Sequence, residues 1–199
     1  MNPLELFKSI YDNEQDKTDS INGQLSLPIG LVIVLSGVLA FYIEKCPECK
    51  LVFEKEKIDI WLTVFVLCLF FLLLFIIRAI YHLVRARYKY KYAYISDPEE
   101  FSEYIAELSQ YYSGQGLDPA SAEELISIDL DKNLVKQYRN AALINQKNNF
   151  SKMGWMHKAI DSIVIALIML GFSLFPFYKI SKKENPIHRI EIVNKELHQ

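Results

Sequence analysis

Residues 60–77 read IWLTVFVLCLFFLLLFII, eighteen positions without a charge, with Asp59 before them and Arg78 after. A helix rises about 1.5 Å per residue, so such a run crosses most of a hydrocarbon core about 30 Å thick. A helix on a soluble core would carry a polar face, yet only Thr63 and Cys68 interrupt this one. The chain is therefore expected to be a membrane protein. Everything else in the sequence has to be arranged around that crossing.

Two more apolar windows, Leu25–Ile43 and Ser162–Tyr178, make three candidate spans. The chain is 51% hydrophobic but also 23% charged, so its apolar residues are segregated rather than diluted. The expected fold is an all-α membrane protein. A helix over 1–24 precedes a transmembrane helix at 25–43, a loop at 44–59 and a second transmembrane helix at 60–80. These two spans form a helical hairpin. A helical cytoplasmic module follows at 81–158, then a third transmembrane helix at 159–179 and a tail at 180–199. In that tail PIHRIEIV alternates as a short strand would. Some two dozen polar, acid-rich residues precede the first span, which is unlike a cleaved signal peptide. Gly30, Ser36, Gly37 and Ala40 give that span a small-residue face, suited to close contact with the second span or with another copy.

Helix punctuation outside the spans is clear. Asn2, Pro3 and Glu5 form a start signal, and Leu4, Phe7 and Tyr11 share a face. That helix either lies on the membrane surface or packs on the protein's own polar part. Asp97-Pro98 opens a second polar helix carrying Phe101, Tyr104, Leu108 and Tyr112 on one side, and Ser113–Leu117 ends it. Asp118-Pro119 opens a third, with Leu130, Leu134, Tyr138 and Ala141 in a stripe. Gln146–Met156, polar and containing Gly154, reads as the approach to the last span, with Trp155 near the interface.

Chemistry is sparse. The sequence holds no GxSxG, Walker A, GxGxxG or HExxH pattern, so neither an enzyme nor a cofactor is expected. Asp59, Arg78 and Asp161 sit at span ends rather than mid-membrane, which argues against a proton-coupled transporter. Cys46-Pro-Glu-Cys49 is half a zinc knuckle without a second half, so no metal is expected; the pair suits a disulfide or a turn with two thiols. The net charge of −2 gives no general affinity for nucleic acid, so any basic site is local. One such site stands out. Arg85, Arg87, Lys89 and Lys91 alternate with Tyr88 and Tyr90 directly after the second span. Basic residues and tyrosines there suit anionic lipid headgroups at a cytoplasmic edge, and they equally suit stacked bases and phosphates. The density of this cluster places the N-terminus inside. The alternation from Arg87 to Tyr94 also fits a short strand.

In layout, the hairpin of Leu25–Ile77 and the helical module of Ser96–Trp155 resemble the compact multi-span effectors of bacterial anti-phage systems, those encoded beside nucleotidyltransferases or with CRISPR loci. The resemblance is one of arrangement and carries over no residue. It implies a multi-pass protein of the bacterial inner membrane, a homo-oligomer that permeabilises the membrane when its module receives a signal. Its partners would be membrane lipids and a nucleotide, an oligonucleotide or a defence-system protein. The alternative is a non-conducting anchor that recruits a soluble partner through the faces of 101–112 and 130–141.

Overall fold

The structure is a computed structural model and describes residues 2–45 and 60–184. Every regular element among them is a helix: α1 (Pro3–Gln24), α2 (Ser26–Lys45), α3 (Ile60–Arg87), α4 (Pro98–Ser113) and α5 (Pro119–Glu184). Three helical stretches, Pro3–Lys45, Ile60–Arg87 and Pro119–Lys182, are long and apolar enough to cross a membrane. The Cys46/Cys49 pair and the C-terminal strand expected at PIHRIEIV lie outside the described residues.

The caps follow the sequence closely. Asn2 Oδ1 accepts from Leu4 N–H at 3.0 Å, and Asp97 Oδ1 accepts from Glu99 and Glu100 N–H at 3.0 and 2.9 Å. Asp118 does the same for Ala120 and Ser121, each at 3.1 Å. Each cap satisfies N–H groups that the first helical turn leaves without partners, and proline follows each at N1. The break between α1 and α2 has its cause in Pro28, which has no N–H to offer the carbonyl of Gln24. Ser26 Oγ donates instead to Gly23 O at 2.8 Å.

The chain divides into two compact units: Met1–Pro28 with His82–Lys158, and Ile29–Tyr81 with the chain from Ala159 onward. In the second, three helices bury residues spaced three, four or seven apart: Val32, Leu35, Leu39 and Tyr42 on α2; Leu62, Phe65, Leu72, Ile76 and Ala79 on α3; Ala159, Ile163, Ala166, Ser173 and Ile180 on α5. That is the heptad seam of coiled-coil packing. Its aromatic centre joins Tyr42, Phe65 and Phe177, with ring centroids 4.9–5.6 Å apart. The outer faces are just as apolar, with Ile33, Phe70 and Phe172 all more than half exposed, as lipid-facing helices require. Ser36 and Ser173 return their hydroxyls to the carbonyls of Val32 and Leu170 at 2.8 and 2.7 Å, so neither is left unsatisfied in an apolar setting. The small-residue face of α2 does not meet α3. A Cβ added at Gly30 or Gly37 would touch nothing within 4 Å, because the large side chains from Val32 to Tyr42 make the contact on the other side of the helix.

In the first unit the same three–four spacing runs along α1, through Glu14, Thr18 and Ile21. It also runs along α5, through Ala142, Asn145, Asn149, Lys152 and Met156. Tyr11 meets Tyr138 edge-on at 5.6 Å, so α1 packs on the protein's own polar part. Tyr112 of α4 donates to Asp129 Oδ2 of α5 at 2.6 Å; this bond holds the tyrosine proton up to about 12 and keeps the Asp129 carboxyl below its usual range. The polar approach at Gln146–Met156 is helical: α5 runs through it, past Gly154, without a break. Asparagine and glycine are poor helix formers in isolation. Here the asparagines are buried and bonded across the unit, and tertiary contacts override local preference.

Candidate functional site

The junction Arg85–Lys91 begins on α3 and leaves it at a sharp bend. Arg85 and Arg87 occupy the last turn, where cations complement the helix dipole. Tyr88 follows, 62% exposed, and then Lys89 at φ +82°, a conformation disfavoured for any residue with a Cβ. Lys89 and Lys91 are exposed and Tyr90 is half-buried. Burial raises the Tyr90 pKa, as does the neighbouring Tyr92, while the charge of Arg85 opposes the rise. Of the cations in this group, Arg85 is the most enclosed: its guanidinium lies 5.2 Å from the Trp155 ring centroid. Trp155 also carries the Lys158 ammonium at 4.4 Å and the His82 ring at 5.5 Å. Trp155 thus gathers three nitrogen-bearing side chains around one indole.

The short strand that the alternation from Arg87 to Tyr94 suggested is not formed: Arg87 ends α3, and residues 90–97 have no regular secondary structure. Side chains of α5 take the place of a neighbouring strand. Asn148 Nδ2 donates to Lys91 O at 2.7 Å. Asn145 pairs with both sides of one peptide residue, accepting from Ala93 N–H at 2.8 Å and donating to Ala93 O at 3.0 Å. Gln137 Oε1 accepts from Ser96 N–H at 3.1 Å. An amide side chain presents the same donor and acceptor as a peptide, so asparagines along one side of a helix can serve as a strand edge.

Asn149 closes the network. Its Nδ2 donates to Glu14 O and Glu14 Oε2 at 2.8 and 3.0 Å. Its Oδ1 accepts from Thr18 Oγ1 at 3.0 Å and from Tyr92 OH at 3.1 Å. All four of its hydrogen-bonding positions are filled, and reversing the amide would set oxygen against oxygen at Glu14. One turn on, Lys152 donates to Asn22 Oδ1 and lies 5.9 Å from the centroid of Tyr92. Its side chain is buried with only 4% exposure. Burial lowers its pKa, and the charge of Arg87 lowers it further.

The predicted residues are therefore brought into one region, but each in a different setting: Arg85 and Tyr90 partly enclosed, Arg87, Tyr88, Lys89 and Lys91 open. The sequence reading missed Asn22, Asn145, Asn149 and Lys152. The signal was present, because these α5 residues extend the three–four spacing of an apolar seam with polar side chains. Among the described residues no three His, Cys, Asp or Glu side chains stand close enough to hold a metal ion. In comparison with known proteins, the chain matches no family model, no curated protein and no solved structure.

Proposed function

We propose that this protein is an oligomeric, multi-pass membrane effector of a bacterial anti-phage system, in which the unit of residues 2–28 and 82–158 is the cytoplasmic input and the apolar helices are the output. One observation carries the reading. The buried positions of α5 include Asn145, Asn149 and Lys152 in the first unit and Ala159, Ile163, Ala166, Ser173 and Ile180 in the second. A single helix thus holds a polar, hydrogen-bonded register at one end and an apolar seam at the other. Polar residues at seam positions fix register at some cost in stability, so a ligand that altered the polar register would bias the packing of the apolar part.

The bond between Thr18 and Asn149 supports a reading in which α1 and the N-terminal half of α5 share one side of a membrane and α2 and α3 cross it and return as a hairpin. The uncovered small-residue face of α2 offers copies of the chain a close contact, as packing between spans demands. A signal carrying phosphate fits the basic junction. The purified chain, reconstituted into liposomes loaded with a self-quenching dye, is expected to release dye when a short single-stranded oligonucleotide or a nucleotide is added. Retained dye under every ligand, with insertion verified, would favour the anchoring role instead.

A further inference from the structure

From Arg87 to Asn140 no residue is buried, although this stretch holds all of α4 and the beginning of α5. The apolar side of α4, with Phe101, Tyr104, Leu108 and Tyr112, is only half-buried, because two helices enclose no core by themselves. The charges of this hairpin are sorted by sign. Residues 97–118 contain acids and no Lys or Arg, and residues 132–160 contain Lys and Arg and no acid. Glu100, Glu103 and Glu107 stand three and four apart on α4; Lys132, Lys136 and Arg139 stand four and three apart on α5; all six are exposed. Like charges at such spacings share one side of a helix and repel each other. Among the described residues, Lys132 alone of the six has an ion pair, with Asp129 at 3.0 Å.

Two bonds fix how these rows lie along the hairpin. Tyr112 donates to Asp129 at 2.6 Å, and Ser96 N–H, just ahead of α4, donates to Gln137 at 3.1 Å. The helices therefore run antiparallel. Counted from the Tyr112 bond, Glu107 is level with Leu134, Glu103 with Tyr138 and Glu100 with Ala141. Lys132, Lys136 and Arg139 each fall two residues short of those levels, a constant offset of about 3 Å that a glutamate and a long basic side chain span together. The acidic and basic rows thus share one spacing and one height. Rotation about an axis along the hairpin keeps every height and sets α4 of one copy against α5 of another. We infer that α4 and residues 119–140 form an interface between copies of this chain, in which Glu107, Glu103 and Glu100 of one copy meet Lys132, Lys136 and Arg139 of the next. A partner of other sequence would have to match both rows by coincidence, whereas the chain itself supplies the match. Contact with a second copy also covers the half-buried apolar residues and relieves the repulsion within each row. The inference deepens the oligomeric part of the reading given above and rests on it for a role in signalling, but not for association.

The test uses the full chain in detergent micelles, with the molar mass of the protein component followed by light scattering over a range of concentrations at low salt. The wild-type chain is expected to associate. A variant with Glu100→Lys, Glu103→Lys and Glu107→Lys carries two basic rows, and one with Lys132→Glu, Lys136→Glu and Arg139→Glu carries two acidic rows. Each alone should associate at least about tenfold more weakly, as like charges facing one another require, while its circular dichroism melt stays near the wild type because all six positions are exposed. Mixed one to one, the two variants should associate as the wild type does, since each row then finds its opposite. Mixing cannot rescue a pairing made inside one chain, so the rescue separates a contact between copies from one within the hairpin. A wild-type chain of monomer mass throughout, variants that associate like the wild type, or weakened variants that mixing does not restore would overturn the interface. Association through these rows in a chain that never releases dye would leave the interface standing and remove the effector reading; dye release from chains that stay monomeric would do the reverse.

Discussion

Asn149→Asp is expected to destabilise the first unit more than any other single exchange of similar size. The new oxygen would occupy the position of Nδ2, which now donates to Glu14 O and Glu14 Oε2. Two carboxylates and a carbonyl would then converge in a buried place, where Glu14 is 3% exposed and Asn149 4%. An uncompensated buried charge costs about 3–5 kcal/mol, which corresponds to a fall of roughly 10 °C in melting temperature for a chain of this length. Asn149→Leu removes the same bonds without adding charge and should cost less, about 1–3 kcal/mol. Circular dichroism melts in detergent or nanodiscs give the order. A leucine variant as unstable as the aspartate variant would mean that lost hydrogen bonds, rather than repulsion at Glu14, dominate.

The second large effect concerns the open cations. Arg87, Lys89 and Lys91 are exposed, so Arg87→Glu, Lys89→Glu and Lys91→Glu together should leave the melting temperature nearly unchanged. Each basic residue near an anionic surface contributes about 1 kcal/mol, and removing three therefore amounts to roughly a hundredfold in ligand affinity. In the dye-release assay the half-maximal oligonucleotide concentration should rise by about that factor. The slope of the logarithm of affinity against the logarithm of salt concentration should also fall by about 2, as three lost contacts to a single strand require. Release that responds to oligonucleotide unchanged, in a variant that melts normally, would separate the basic junction from the signal.

How far the sequence foretold the structure varied with how local the cause was. The caps at Asn2, Asp97 and Asp118 are short-range chemistry and were legible, as was the apolar character of residues 60–77. The identity of α5 as one helix was not. Asn145, Asn148, Asn149 and Gly154 look like a linker until their partners at Ala93, Lys91 and Glu14 are known, and those partners are 52, 57 and 135 residues away in sequence. The alternation from Arg87 to Tyr94 suggested a strand, but residues 91–96 bond instead to side chains of α5, partners that were not visible because an edge made of side chains has no composition of its own. The basic junction was visible as a cluster. Its most buried cation, Lys152, was not, because it lies 61 residues beyond Lys91 in sequence and meets the junction only in the folded unit.

Everything proposed for this molecule requires α1 and residues 82–158 to lie on the same face of the membrane. Single cysteines placed at Asn13, Lys89 and Ser113, in a chain with Cys46, Cys49 and Cys68 replaced, can be labelled with an impermeant maleimide in intact and in opened cells. All three are exposed positions. The expected result is protection of all three in intact cells and labelling after opening, with Lys45→Cys, at the far end of α2, labelled in both. Labelling of Asn13→Cys and Lys89→Cys from opposite faces would contradict the hairpin, the shared unit and the input role together.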